Sequence, residues 1–156
     1  MRRALIATDG SAKAIQAAEE AVALLHPDLE VKLVTVIEAW RDPEEDAGGF
    51  GGPLVTPEEA QREWDEARAA GREAILETEE SLDNRVTDEL VVATSESVAD
   101  ALVRLVEELR PAVLVIGPDQ SNWFRRMLGG AVDKQLIHRV TCPLLVMNRP
   151  DSDDET

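Results

Sequence analysis

The fold of this chain is decided by the stretch from Val113 to Asn148, which opens with VLVIG, continues through a glycine pair and closes with TCPLLVMN. It predicts a buried strand, a polar loop, a helix and a second buried strand. A glycine after a strand lets a ligand approach the backbone, because no Cβ is in the way. A glycine at a helix start presents free N–H groups and the positive end of the helix dipole, which suits phosphate. Gly117 and Gly130 hold these two positions.

The rest of the chain repeats the alternation of strand and helix. Apolar, β-branched segments predict strands at residues 3–8, 31–37, 85–93, 112–116 and 144–147. Their nearly continuous apolar character indicates burial on both faces, as in parallel sheets. We therefore expect an α/β fold, in which a five-stranded parallel sheet lies between two layers of helices. Ligands of such sheets bind at the carboxyl ends of the strands, where the strand order reverses.

Helical spacing of apolar residues places four helices between these strands. Ser11 is a candidate N-cap for the first helix. Thr56-Pro57-Glu58-Glu59 supplies an N-cap, a first-turn proline and acidic residues for a long second helix that ends near Leu82. The predicted buried stripes are Ile15, Ala18, Val22 and Leu25; Ala60, Trp64, Ala67 and Gly71; Val98, Leu102, Leu105 and Leu109; and Val132, Leu136 and Val140.

The composition limits which partners the chain can bind and in which compartment we expect it. The net charge is −16, with 32 acidic against 16 basic residues, so the chain repels nucleic acid and anionic membrane surfaces. No run approaches the roughly 20 apolar residues of a membrane span. The first residues lead directly into a strand rather than a signal peptide. A single cysteine, Cys142, excludes an internal disulfide. We expect a cytoplasmic protein that contacts neither nucleic acid nor membrane.

One domain accounts for most of the chain. We expect it to cover residues 1–149 and to contain a flexible insertion at 38–56, because that segment is rich in glycine and acid and has no periodicity. Residues 150–156 are predicted to form a disordered acidic tail.

Several catalytic and phosphate motifs are missing. The sequence has no G-x-x-x-x-G-K-[ST], and its first strand ends in Thr8-Asp9-Gly10-Ser11 rather than G-x-G-x-x-G. A G-x-S-x-G hydrolase elbow does not occur either. The two histidines and Cys142 lack metal-ligand spacing, and a packing role is favoured for both His138 and Cys142. We predict neither catalytic residues nor a metal site.

Asp9 has two interpretations that the residues alone leave open. Its carboxylate either accepts hydrogen bonds from a ligand at the end of the first strand or caps the turn that precedes the first helix. The residues favour the turn interpretation slightly.

The carboxyl-terminal segment resembles the signature of the universal stress protein family. Nucleotide-binding members carry G-x-x-G, nine residues, and then G-[S/T]. Gly117 and Gly130 match in register, whereas Gln120 replaces the middle glycine and Ala131 replaces the hydroxyl residue. The turn Thr8-Asp9-Gly10-Ser11 also resembles part of the family's nucleotide pocket. The resemblance implies a sheet with strand order 3-2-1-4-5.

The family also implies which residues bind nucleotide. The adenine contacts would come from Ala7, Thr8, Asp9 and Val36, and the ribose and phosphate contacts from Ile116, Gly117, Gln120, Gly130, Ala131 and Val132. Gln120 fills space that close phosphate approach requires, and the hydroxyl missing at Ala131 costs roughly 1–2 kcal/mol. Arg125 and Arg126 either reach phosphates or face solvent. The residues leave the ligand unidentified. ATP or AMP is a candidate, and we expect ATP to bind weakly or not at all.

The resemblance implies a stress-response regulator that acts by binding and by dimerisation through its last strand, Leu144–Met147. The protein partner stays unidentified. Two alternatives remain open: an ATP-binding switch with slow ATPase activity, and an interaction module whose crevice is filled by side chains such as Gln120.

Overall fold

The computed structural model describes residues 2–38, 56–94, 96–117 and 132–147. It places five parallel strands in one sheet in the order β3-β2-β1-β4-β5, which confirms the predicted α/β fold and strand order. The predicted strand bounds agree with the structure to within one residue at each end. The strands are β1 (Arg3–Ala7), β2 (Glu30–Glu38), β3 (Val86–Thr94), β4 (Val113–Ile116) and β5 (Leu144–Val146).

Helices follow the strands in the predicted order. They are α1 (Ala12–Leu24), α2 (Pro57–Ser81), α3 (Val98–Leu109) and α4 (Val132–Arg139). Ser11 caps α1 by accepting a hydrogen bond from the Ala14 amide. Thr56 and Glu59 form a reciprocal capping box at the start of α2, as the sequence predicts. These caps satisfy amide groups that the first helical turn would otherwise leave unpaired.

The sheet separates two hydrophobic clusters. Leu5, Val34 and Leu114 face the α3 layer, together with the buried residues of α3 and Leu136 of α4. Ile6 and Leu33 face the opposite layer, where they pack with residues of α1 and α2 such as Ile75. Successive strand residues therefore alternate between the two layers, as the pleat of a strand requires.

The buried face of α1 agrees only in part with the predicted stripe, of which Ala18 alone is fully buried. Ile15 and Val22 are only partly buried, and the face that is buried consists of alanines: Ala14, Ala17, Ala18 and Ala21. Small side chains let a helix approach a sheet closely, so the helix turns its alanines inward. Val22 and Leu25 pack against the core cluster at the border of this face.

The long helix α2 packs on β2 through a glycine. A Cβ on Gly71 would lie 2.6 Å from Cδ1 of Ile37 and 3.2 Å from Cγ2 of Thr35. Ala60, Trp64 and Ala67, which the sequence predicts on the same buried stripe, are only partly buried, and Arg68 stacks on the Trp64 ring at 5.7 Å.

β3 and β5 are the outer strands of the sheet among the described residues. Within that part of the chain β5 pairs only with β4, and Leu144, Leu145 and Val146 are each half-buried. None of the described helices combines the length and hydropathy of a membrane span.

Candidate functional site

The candidate site begins at the turn that follows β1, residues 8–11. β1 lies at the centre of the sheet and pairs with β2 on one side and β4 on the other. The pairing of Ile6 with Val115 brings the carboxyl ends of β1 and β4 side by side. The strand order reverses at this pair, which confirms the predicted adjacency and is where ligands of open α/β sheets bind.

Asp9 has one engaged oxygen and one unpartnered oxygen. Its Oδ1 accepts a hydrogen bond from the Ser11 amide at 2.9 Å. Its Oδ2 is buried, and among the described residues none donates a hydrogen bond to it. The turn interpretation therefore accounts for the hydrogen bond of Oδ1 only. Oδ2 is a buried acceptor that needs a donor, since an unsatisfied buried polar atom costs about 1–3 kcal/mol.

Thr8 points into the α2 layer rather than toward solvent. Its side chain is 1% exposed, and its hydroxyl lies 2.9 Å from the hydroxyl of Thr78. The Gly10 amide donates to the same Thr8 oxygen at 3.2 Å. Thr8 thus organises the backbone of the turn from inside the protein.

Two features require glycine at position 10, namely the backbone conformation there and the close contact with Ala74. Its φ of +74° lies in the left-handed region. A Cβ there would approach the Cβ of Ala74 to 2.6 Å and its Cα to 2.7 Å. The turn therefore lies directly against the backbone of α2.

Gly117 follows β4 and is buried next to α1. A Cβ on it would lie 3.7 Å from Cα of Ala14 and from Cβ of Ala17, which is an ordinary packing distance. Helix packing therefore does not demand glycine at this position. The predicted reason for the glycine, close approach of a ligand to the backbone, is compatible with this geometry.

Three of the predicted ligand residues contribute their side chains to the core. Ala7, Val36 and Ile116 all belong to the cluster on the α3 side of the sheet, with exposures of 6%, 1% and 1%. Ala7 and Ile116 are the last residues of β1 and β4, whereas Val36 lies two residues before the end of β2. The other predicted contacts, Gln120, Gly130 and Ala131, lie outside the described residues, as do Arg125 and Arg126. Val132 opens α4, but its side chain is outside the described part.

Two ion pairs hold the start of α3 at the same edge of the sheet. Glu96 pairs with Arg104 at 3.0 Å, so its negative charge is partly neutralised. Asp100 accepts hydrogen bonds from the Ser97 hydroxyl at 2.7 Å and from Arg139 at 2.6 Å. These two bonds, in that order of importance, lower the pKa of Asp100 below its usual 3.8.

Sequence reasoning missed Thr78 as a member of this site. The one available signal was a polar residue on the buried stripe of α2, four positions after Ala74. Its partner Thr8 lies 70 residues away in the sequence, and only the tertiary structure brings the two together.

Potential metal ligands and the single cysteine are the other groups for which the sequence makes predictions. No group of three or more histidine, cysteine, aspartate or glutamate side chains that could hold a metal occurs within them. Cys142 packs against the α3-side core, and burial raises the pKa of its thiol above the usual 9.0. A thiol in that state favours the predicted packing role.

The sequence profile of the universal stress protein family matches residues 1–148. The chain belongs to the universal stress protein family. A search of curated protein sequences found no significant match.

Solved structures of the family share the fold. A universal stress protein family member from Burkholderia pseudomallei is 23% identical, covers 94% of this chain and 95% of its own, and superposes with a TM-score of 0.67. An Arabidopsis thaliana member with AMP bound is 15% identical, covers 100% and 97%, and has a TM-score of 0.60. An Archaeoglobus fulgidus member in complex with dAMP is 16% identical, covers 95% and 98%, and has a TM-score of 0.54.

Proposed function

We propose that this universal stress protein is a stress-response regulator that acts by binding and dimerisation, with a degenerate pocket for an adenine mononucleotide. The unpartnered Oδ2 of Asp9 carries the proposal. The exocyclic amine of adenine and the hydroxyls of ribose are hydrogen-bond donors, which is the chemistry that a buried carboxylate oxygen lacks.

The solved relatives support the choice of ligand. Two of them hold AMP and dAMP on the same fold. In this chain, Gly117 and Gly130 keep the family's two glycine positions, whereas Gln120 and Ala131 depart from the family's pattern. These departures affect the phosphate end of the pocket and leave the Asp9 turn intact. A monophosphate therefore suits this pocket better than a triphosphate.

Calorimetric titration with AMP tests the ligand. The parent protein should bind AMP, and Asp9→Asn should weaken binding about tenfold, because an amide nitrogen would then face the ligand's donor. Asp28→Asn makes the same charge change at an exposed loop residue and should leave the affinity unchanged. Equal affinities for the parent and Asp9→Asn would remove Asp9 from the site.

The proposed dimer rests on β5. This strand is an apolar edge whose second side is not paired within the described residues. Pairing with the same strand of a second copy would satisfy its free N–H and C=O groups and cover Leu145.

A further inference from the structure

Thr78 meets the turn of residues 8–11 inside the protein. Thr78 is 0% exposed and Thr8 is 1% exposed, so water does not compete for either hydroxyl. The two oxygens lie 2.9 Å apart. This contact connects the end of β1 to the last turn of α2.

The direction of the hydrogen bonds follows from the number of hydrogens. A threonine hydroxyl has one hydrogen to donate. Thr78 donates its hydrogen to the Ala74 carbonyl at 2.8 Å, so Thr8 must donate to Thr78. The Thr8 oxygen then accepts from the Gly10 amide. The turn and α2 are therefore linked by one directed chain of three hydrogen bonds.

The pair lies on the side of the sheet that α1 and α2 cover, where the core is apolar. Ile6, Ala18 and Ile75 pack in the same layer and are at most 1% exposed. Two valines would have nearly the same volume as the two threonines and would need no hydrogen bonds. A hydroxyl left without its partner here would bear its full desolvation cost. The pair therefore specifies one arrangement of turn and helix, which apolar side chains would specify less strictly.

A second contact reinforces the same connection. Gly10 lies so close to α2 that the Cβ and Cα of Ala74 occupy the space of any side chain at that position. A shift of the turn must therefore move α2, and a tilt of α2 must move the turn.

We propose that Thr78 is a positioning residue for Asp9. Its hydroxyl couples ligand binding at the turn of residues 8–11 to the position of α2 on the sheet. The proposal rests on the proposed function, because the ligand is the one that Asp9 accepts. Coupling between two sites is reciprocal. A ligand that fixes the turn therefore also fixes α2, and a partner that fixes α2 prepares the turn for its ligand.

The coupling would change the position of the exposed part of α2. Residues 57–70 precede Gly71, and none of them is buried. At 1.5 Å per residue they extend for about 20 Å. Their direction depends on how α2 sits at Gly71, Ala74 and Thr78, so a small tilt at Thr78 becomes a larger displacement near Pro57.

Thr78→Val removes the hydroxyl and keeps the shape, whereas Thr78→Ser keeps the hydroxyl. Thr87→Val is the control, because the Thr87 hydroxyl donates to the Val31 carbonyl at the opposite end of the strands. Amide hydrogen exchange measured by NMR without ligand should accelerate at least tenfold at Gly10 in Thr78→Val, relative to the core amide of Leu33. Thr78→Ser and Thr87→Val should stay within about threefold of the parent.

Titration with AMP supplies the second readout. Thr78→Val should weaken AMP binding about tenfold, with Thr78→Ser restoring it. AMP should slow exchange along residues 74–78 in the parent and in Thr78→Ser but not in Thr78→Val. Unchanged Gly10 exchange in Thr78→Val would overturn the proposal, whatever AMP does. If the parent binds no AMP, the proposed function fails and the Gly10 exchange alone decides whether Thr78 positions the turn.

Discussion

The Lys32 ammonium lies 2.5 Å from the Asp88 carboxylate and joins β2 to β3 across the amino-terminal half of the sheet. The Lys32 side chain is 11% exposed, whereas that of Asp88 is 54% exposed. The hydrogen bond from Lys32, followed by that from the Glu89 amide, lowers the pKa of Asp88 below its usual 3.8. Buried lysines require such a partner, because an unpaired charge loses its hydration.

This pair should make part of the protein's stability depend on pH. A lowered folded-state pKa means that the contribution is complete above the unfolded value of 3.8 and is lost as pH falls through the folded value. Asp88→Asn should therefore reduce the free energy of unfolding at pH 7 by about 1 kcal/mol, discounted for the exposure of Asp88. Urea denaturation at pH 7 and pH 3 measures the difference between parent and variant, which should shrink at pH 3. A difference that stays constant would contradict this account.

Gly10→Ala should destabilise the protein by about 2–4 kcal/mol. Residue 10 has a positive φ, which is unfavourable for a residue that carries a side chain. The added methyl group would also collide with the Cβ and Cα of Ala74 on α2. Gly71→Ala is the matched control, because its methyl group meets only side-chain atoms, Cδ1 of Ile37 at 2.6 Å and Cγ2 of Thr35 at 3.2 Å, and no backbone. It also replaces a helical glycine, a gain of about 1 kcal/mol that offsets part of the crowding. Thermal unfolding should show a large loss for Gly10→Ala and a small change for Gly71→Ala. Similar losses in both variants would refute the distinction.

Sedimentation equilibrium at micromolar concentration should show a species of twice the 17.1 kDa chain mass. Leu145→Lys should shift it toward the monomer, because a charge on β5 would be buried against the second copy. Leu24→Lys, at a residue 72% exposed on α1, should leave the dimer intact. Circular dichroism verifies that both variants fold. A parent protein that sediments as a monomer would remove the β5 interface.

ATP should bind with a dissociation constant of roughly 100 micromolar. Gln120 and Ala131 each remove about one contact at the phosphates, and 1.4 kcal/mol corresponds to tenfold in affinity. Calorimetry with and without magnesium measures this. Gln120→Gly combined with Ala131→Ser should restore micromolar binding, whereas Gln120→Asn, which keeps a Cβ and an amide, should not. Micromolar binding by the parent would show that the two departures are harmless.

The sequence by itself determined the order and type of the elements, because those signals lie within a few residues of one another. Ser11 and Thr56 cap their helices through bonds that span three positions, and Gly117 ends an apolar run. Such contacts form wherever the local chain folds, so spacing and residue type suffice to predict them.

Only the tertiary structure decided which faces and which distant side chains meet. The predicted stripe of α1 included Ala18, but its spacing did not show that Ala14, Ala17 and Ala21 would be buried as well, since close approach to the sheet depends on the surface opposite. Lys32 pairs with Asp88, which lies 56 positions away in the sequence, and Thr8 pairs with Thr78, which lies 70 positions away. Parallel strands and their crossover helices place such residues together through the geometry of the whole sheet, and no local pattern in the sequence encodes that distance.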